Sequence, residues 1–155
     1  MNSLKKNIVK IPDSSEGNFV IKYFPNWSIP YLHLSRADRP TGTWLLLLPC
    51  LFGILLAYVE KNNLSVSFYE IWLLIACTIG AFLMRGAGCT WNDILDKDYD
   101  AKVKRTQNRP IPSGQVTIRR AIYWMIVQSL LAFIILLTFN KSFKKFNLTY
   151  LGLFG

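Results

Sequence analysis

Three long apolar runs limit what this chain can become: Thr43 to Val59, Val66 to Met84, and Ala121 to Phe139. Each approaches the roughly 20 residues that an α-helix needs to cross a bilayer's hydrocarbon. The charges are pushed to their ends, so each run predicts a membrane-spanning helix, and the second is expected to continue past Met84 because the small residues of Arg85 to Trp91 carry it on to the acidic cluster at Asn92. Pro49 and Gly53 fall inside the first run. A membrane helix tolerates both when neighbours satisfy the freed carbonyl, and a kink is expected near Pro49. Leu148 to Gly155 reads as the opening of a fourth span. The fold class is therefore all-α, a polytopic transmembrane helical bundle of about three spans and the start of a fourth. Residues 1–41 form an amino-terminal segment on the cytoplasmic or interfacial side, and residues 42–155 the membrane domain.

Composition supports this reading: 52% of the residues are hydrophobic and the mean hydropathy is +0.25. The 18 Lys and Arg against 9 Asp and Glu leave a net charge of +9. The cations gather at Lys5 to Lys22, Arg36 to Arg39, Lys97 to Arg120 and Lys141 to Lys145, between the apolar runs. Loops flanking membrane helices have that pattern, so the charge speaks for a bilayer and an anionic substrate rather than for nucleic acid. The same cations put the amino terminus and the 97–120 loop on the cytoplasmic side, with 60–67 outside. The tail at Lys141 to Lys145 breaks the rule. No early apolar run precedes a small-residue cleavage site, so no secretory signal is expected. Cys50, Cys77 and Cys89 have no metal-ligand spacing and read as packing residues; His33 reads as structural.

The chemistry concentrates after the second run. In Asn92-Asp93-Ile94-Leu95-Asp96-Lys97-Asp98-Tyr99-Asp100, Asp93, Asp96 and Asp100 stand at i, i+3 and i+7, and Asn92, Asp96 and Asp100 recur every four residues. On a helix they share a face, where carboxylates repel unless a cation sits among them. Hard oxygen donors in loose geometry suit Mg2+, which binds through carboxylates together with substrate phosphates, so a diphosphate is implied. Arg85 lies two turns deeper on the same side, a costly residue in a span whose natural partner is an anion. Lys104, Arg105 and Arg109 follow in a loop able to fold back over the carboxylates. A plainer reading also fits: an acidic helix end and basic loop as a solvated juxtamembrane face, with Arg85 snorkelling or paired to Asp93 or Asp96. An EF-hand does not fit, because Ala101 and Gln107 occupy the glycine and glutamate positions.

Four stretches in order, Arg36-Ala37-Asp38-Arg39-Pro40-Thr41-Gly42-Thr43-Trp44, Met84-Arg85-Gly86-Ala87-Gly88-Cys89, Asn92 to Asp100, and Val103 to Gly114, resemble the 4-hydroxybenzoate branch of the UbiA-type intramembrane prenyltransferases. The resemblance runs from about Ser35 to Gln115. It implies an enzyme of ubiquinone biosynthesis, in a bacterial or mitochondrial inner membrane, that moves a polyprenyl group from a polyprenyl diphosphate to an aromatic acid such as 4-hydroxybenzoate. By that resemblance Asn92, Asp93, Asp96 and Asp100 hold Mg2+ on the diphosphate. Asp93 and Asp96 are the residues expected to carry the chemistry. Lys104, Arg105 and Arg109 meet the diphosphate, and Arg85 the aromatic carboxylate. Such proteins have about nine helices and a second aspartate motif, so these residues are expected to be the amino-terminal part and not to turn over alone. The alternatives are an inactive remnant of that enzyme, or an ion-coupled transporter fragment, which would hold its carboxylates in mid-span.

Overall fold

The computed structural model describes residues 19–60, 66 and 68–139. Every regular element among them is helical: α1 (Phe19–Tyr23), α2 (Ile29–Leu34), α3 (Thr41–Glu60), α4 (Phe68–Leu95), α5 (Lys97–Asp100) and α6 (Ile118–Leu137). The expected fourth span and the 61–65 connection lie outside the described residues.

Three of the helices, α3, α4 and α6, are long and apolar enough to cross a membrane. Large apolar side chains point outward along all three, among them Leu45, Phe52, Leu56, Ile75, Leu131 and Phe133. A surface of this kind would associate in water, whereas hydrocarbon solvates it, and the chain is an integral membrane protein. The helix α3 runs unbroken through Pro49.

As the small residues of Arg85 to Trp91 lead one to expect, the second span does not stop at Met84, and it continues to Leu95. At 1.5 Å per residue its 28 residues reach about 42 Å, some 12 Å more than the hydrocarbon is thick. The excess lies at the carboxyl end, because Arg85 to Leu95 continues the helix through small residues. Asn92 and Asp93 therefore sit on regular helix beyond the apolar part.

Packing centres on α4, which touches both α3 and α6. Its buried residues are mostly small, Ala76, Ala81, Gly86, Ala87, Cys89 and Thr90, and small residues let membrane helices approach closely. Near the start of α4, Trp72 Nε1 donates to Thr138 Oγ1 at 3.2 Å, tying it to the end of α6. Thr117 caps α6, its side chain accepting from the Arg120 N–H.

The starts of α3 and α6 and the end of α4 meet at one end of the bundle. A polar cap covers it, built from α2, α5 and the turns of 101–116. A small apolar cluster, Leu34, Ile111, Val116 and Ala121 with Ile94 and Ile118 against it, fastens the cap to the helices. Gly114 turns that loop at φ 76°, a conformation glycine adopts without penalty.

Candidate functional site

Below this cap lies a cleft of about 580 Å³ between the start of α3, the end of α4 and the 101–116 loop. Arg85, Cys89, Asn92 and Asp93 line it from α4, and Asp96 from the turn that follows. Thr41, Gly42 and Leu45 form the α3 wall; Arg36 and Arg39 enter from the segment before it, and Arg105 and Arg109 from the loop. Five arginines thus surround two aspartates, a surplus of three positive charges at the edge of the hydrocarbon.

The ionic geometry is specific. Asp93 is 2% exposed. Its Oδ1 accepts from Arg36 NH2 at 2.6 Å and more weakly from Arg109 NH1 at 3.4 Å. Its Oδ2 is buried without a hydrogen-bond partner. Arg109 NH1 also donates to Asp100 Oδ2 at 2.7 Å, so one guanidinium bridges two carboxylates. Arg85 makes no ion pair with Asp93 or Asp96, and its Nε is buried and unpartnered. Arg85 packs instead against Gly42, where any Cβ would collide with the guanidinium. A glycine at the start of α3 is what gives Arg85 its place in the cleft.

Of the residues expected from sequence, the cleft gathers Arg85, Asn92, Asp93, Asp96, Arg105 and Arg109. It does not gather Asp100 or Lys104: Asp100 is buried against Arg109, and Lys104 is exposed outside the lining. The uninterrupted helix expected from Asp93 to Asp100 is broken, since α4 ends at Leu95 and Asp96 opens the separate short helix α5 at φ −88°, ψ 5°. Arg36 and Arg39 were not among the expected site residues. Arg36 is recruited by a feature no spacing rule detects: it ends α2 in the left-handed region at φ 53°. Its N–H bonds the His33 carbonyl at 3.1 Å and the Ala37 N–H the Leu32 carbonyl at 3.0 Å, the paired bonds of a Schellman motif with arginine where glycine is usual.

Beside it, Asp38 Oδ1 lies 3.8 Å from His33 Nδ1, an ion-pair rather than a hydrogen-bond distance. Burial alone would raise the Asp38 carboxyl. The His33 ring, Asp38's own backbone N–H and Arg39 lower it, and the lowering prevails.

The donor set fits a hard divalent cation in part. An unpartnered buried oxygen on Asp93, with Asn92 and Asp96 on the same cleft, offers oxygen ligands only, as Mg2+ prefers. Among the described residues no group of three His, Cys, Asp or Glu converges on one point, so water and substrate oxygens would complete such a shell.

Fold and site together define an integral membrane helical bundle with an arginine-rich cleft at one end. The model of the UbiA prenyltransferase family matches residues 46–154, and the chain belongs to that family. It is 47% identical over 111 residues to the mitochondrial 4-hydroxybenzoate polyprenyltransferase of Homo sapiens, covering 72% of this chain and 29% of the relative. The Dictyostelium discoideum mitochondrial counterpart is 41% identical over 127 residues, 82% of this chain and 26% of its own. The 4-hydroxybenzoate octaprenyltransferase of Shewanella loihica is 44% identical over 110 residues, 71% and 36%. The chain thus spans about a quarter to a third of the length of these relatives. No solved structure matches it.

Proposed function

We propose that this chain binds a polyprenyl diphosphate together with a divalent cation, Mg2+, and supplies one side of a site that transfers the polyprenyl group to an aromatic acid. The acceptor named in the relatives, 4-hydroxybenzoate, is the acid we propose here. The observation that carries the reading is the cleft itself: five arginines around Asp93 and Asp96 where a membrane helix leaves the hydrocarbon.

In this reading Asn92, Asp93 and Asp96 would hold the cation, which would supply positive charge to the diphosphate. Arg105 and Arg109 offer planar forks to the remaining diphosphate oxygens. Charge builds on those oxygens as the allylic C–O bond breaks, with its electron pair leaving on the diphosphate. Preorganised arginines therefore stabilise the transition state more than the bound substrate. The allylic carbon is then taken by the ring carbon beside the phenol hydroxyl, and the ring releases a proton. Arg85, half-buried and with its Nε buried and unpartnered, holds the aromatic carboxylate. A second cavity of about 720 Å³ between α3, α4 and α6, walled by Leu46, Met84, Leu130 and Phe133, offers apolar surface for isoprenoid units.

The test is a pair of substitutions on neighbouring carboxylates. Asp96→Ala should weaken cation-dependent binding of geranyl diphosphate by roughly tenfold or more, whereas Asp98→Ala, off the cleft, should change it less than about twofold. Equal losses from the two would refute the assignment.

A further inference from the structure

We propose that Ser35, Trp124 and Gln128 form a buried clasp that positions Arg36 on Asp93 and so determines which oxygen Asp93 turns to the cleft. The inference rests on the cleft's being a site for a diphosphate and a divalent cation. None of the three clasp residues lines it.

Gln128 is the sole amide side chain between Ala121 and Phe139. An amide in an apolar span must find a partner, and this one is 2% exposed. Its Nε2 donates to Ser35 Oγ at 2.9 Å, while Oε1 accepts nothing, so Ser35 is its partner among the described residues. One turn earlier on α6, Trp124 Nε1 donates to the same Ser35 Oγ at 2.9 Å. Ser35 donates its own proton to the Tyr31 carbonyl at 3.1 Å, which uses the full capacity of a hydroxyl. The Tyr31 and Trp124 rings pack with centroids 5.4 Å apart. On the opposite side, Gly86 leaves the space that Gln128 and Ser35 fill, since a Cβ there would strike the amide and lie 3.0 Å from the Ser35 side chain. The carboxyl end of α2 is thereby fixed against α4 and α6 at once.

The next residue is Arg36. Arginine in the left-handed region persists only where its surroundings over-determine it. The clasp on one side and the Schellman bonds on the other do this, and the guanidinium emerges with NH2 2.6 Å from Asp93 Oδ1. With Oδ1 taken by Arg36 and Arg109, Oδ2 is the Asp93 oxygen left without a hydrogen-bond partner, and it alone would be free to ligate a cation. Ser35, Trp124 and Gln128 are positioning residues that act through Arg36.

The experiment uses the full chain in lipid nanodiscs with inorganic pyrophosphate and Mn2+ as probes, the loss of the free Mn2+ electron-spin signal reporting binding. Ser35→Ala and Gln128→Leu should each weaken pyrophosphate-dependent Mn2+ binding by roughly tenfold. In an Arg36→Gln background neither should cost more than about twofold, because their path is already cut. The Ser35→Ala, Gln128→Leu double variant removes both polar partners, so its melting temperature should recover above that of Ser35→Ala while its affinity stays low. Affinity that recovers with melting temperature, or equal losses in both backgrounds, would overturn the proposal. Hydrogen exchange gives a reading independent of ligand: in Ser35→Ala the Arg36 and Ala37 amides should exchange faster while α4 stays protected, and unchanged rates there would also overturn it. Wild-type chain that fails to bind Mn2+ with pyrophosphate would count against the cleft's function, and exchange would still decide the clasp.

Discussion

Arg109 explains how carboxylates crowded at a helix end coexist. One guanidinium meets Asp100 at 2.7 Å and Asp93 at 3.4 Å, so the protein itself relieves part of the repulsion that a cation was expected to relieve. Asp38 shows the same balance outside the cleft, where a neighbouring ring and Arg39 outweigh burial and lower its carboxyl. The consequence for stability has a definite sign. A carboxyl lowered on folding contributes stability that is fully present above its unfolded value, about 3.9, and is lost as pH falls through the folded value. The wild-type margin over Asp38→Asn, measured by thermal unfolding in detergent, should therefore shrink as pH falls below about 4; a margin that grows on acidification through that range would contradict it. At this scale the sequence disclosed Arg85, Asn92, Asp93, Asp96, Arg105 and Arg109, because helical spacing and a following basic loop suffice to bring them together. Arg36 was hidden, since its placement depends on a backbone angle. Gln128 left a signal, a lone amide in an apolar run, that reads as a buried hydrogen-bond partner once noticed.

Helix α4 does the most for the site, and its glycines differ in what they permit. Gly86 faces Gln128 and Ser35, whereas Gly88 has nothing within 4 Å of where its Cβ would lie. Gly86→Ala should destabilise by about 1–3 kcal/mol through overpacking, while Gly88→Ala should be neutral or stabilise by up to about 1 kcal/mol through helix propensity. Unfolding curves of the two variants in the same detergent check this, and equal effects would contradict it. Hydropathy located all three described spans to within a few residues. It does not by itself register Arg85 to Trp91, whose small residues are the signal that the helix continues, as it does to Leu95. It also missed the break at Asp96, where a regular spacing invited an unbroken helix. The membrane orientation belongs to this scale as well. Lys102, Lys104, Arg105, Arg119 and Arg120 are exposed at the same end of the bundle as the cleft, which the positive-inside rule assigns to the cytoplasmic or matrix side. Gln107, exposed in that loop, gives the check: Gln107→Cys in a chain without its three native cysteines should react with a membrane-impermeant reagent from that side, and labelling from the opposite side alone would refute the orientation.

At the scale of the whole molecule, the bundle holds its chemistry at one end and apolar surface along its length. Such a division would suit the proposed substrate, whose polyanionic head would meet the arginines and carboxylates while its hydrocarbon tail stayed in the apolar layer. The match to the human relative covers 29% of that protein's length. What the sequence does hold, a first acidic cluster, a basic loop and a deep arginine, the fold brings to a single cleft. The central claim is that this cleft takes up a diphosphate only together with a divalent cation. Equilibrium binding of a non-hydrolysable farnesyl diphosphate analogue to the chain in nanodiscs, with Mg2+ and then with excess chelator, tests it most directly. The account predicts saturable binding with Mg2+ that falls by at least roughly tenfold on chelation; binding of equal strength in both conditions would contradict it.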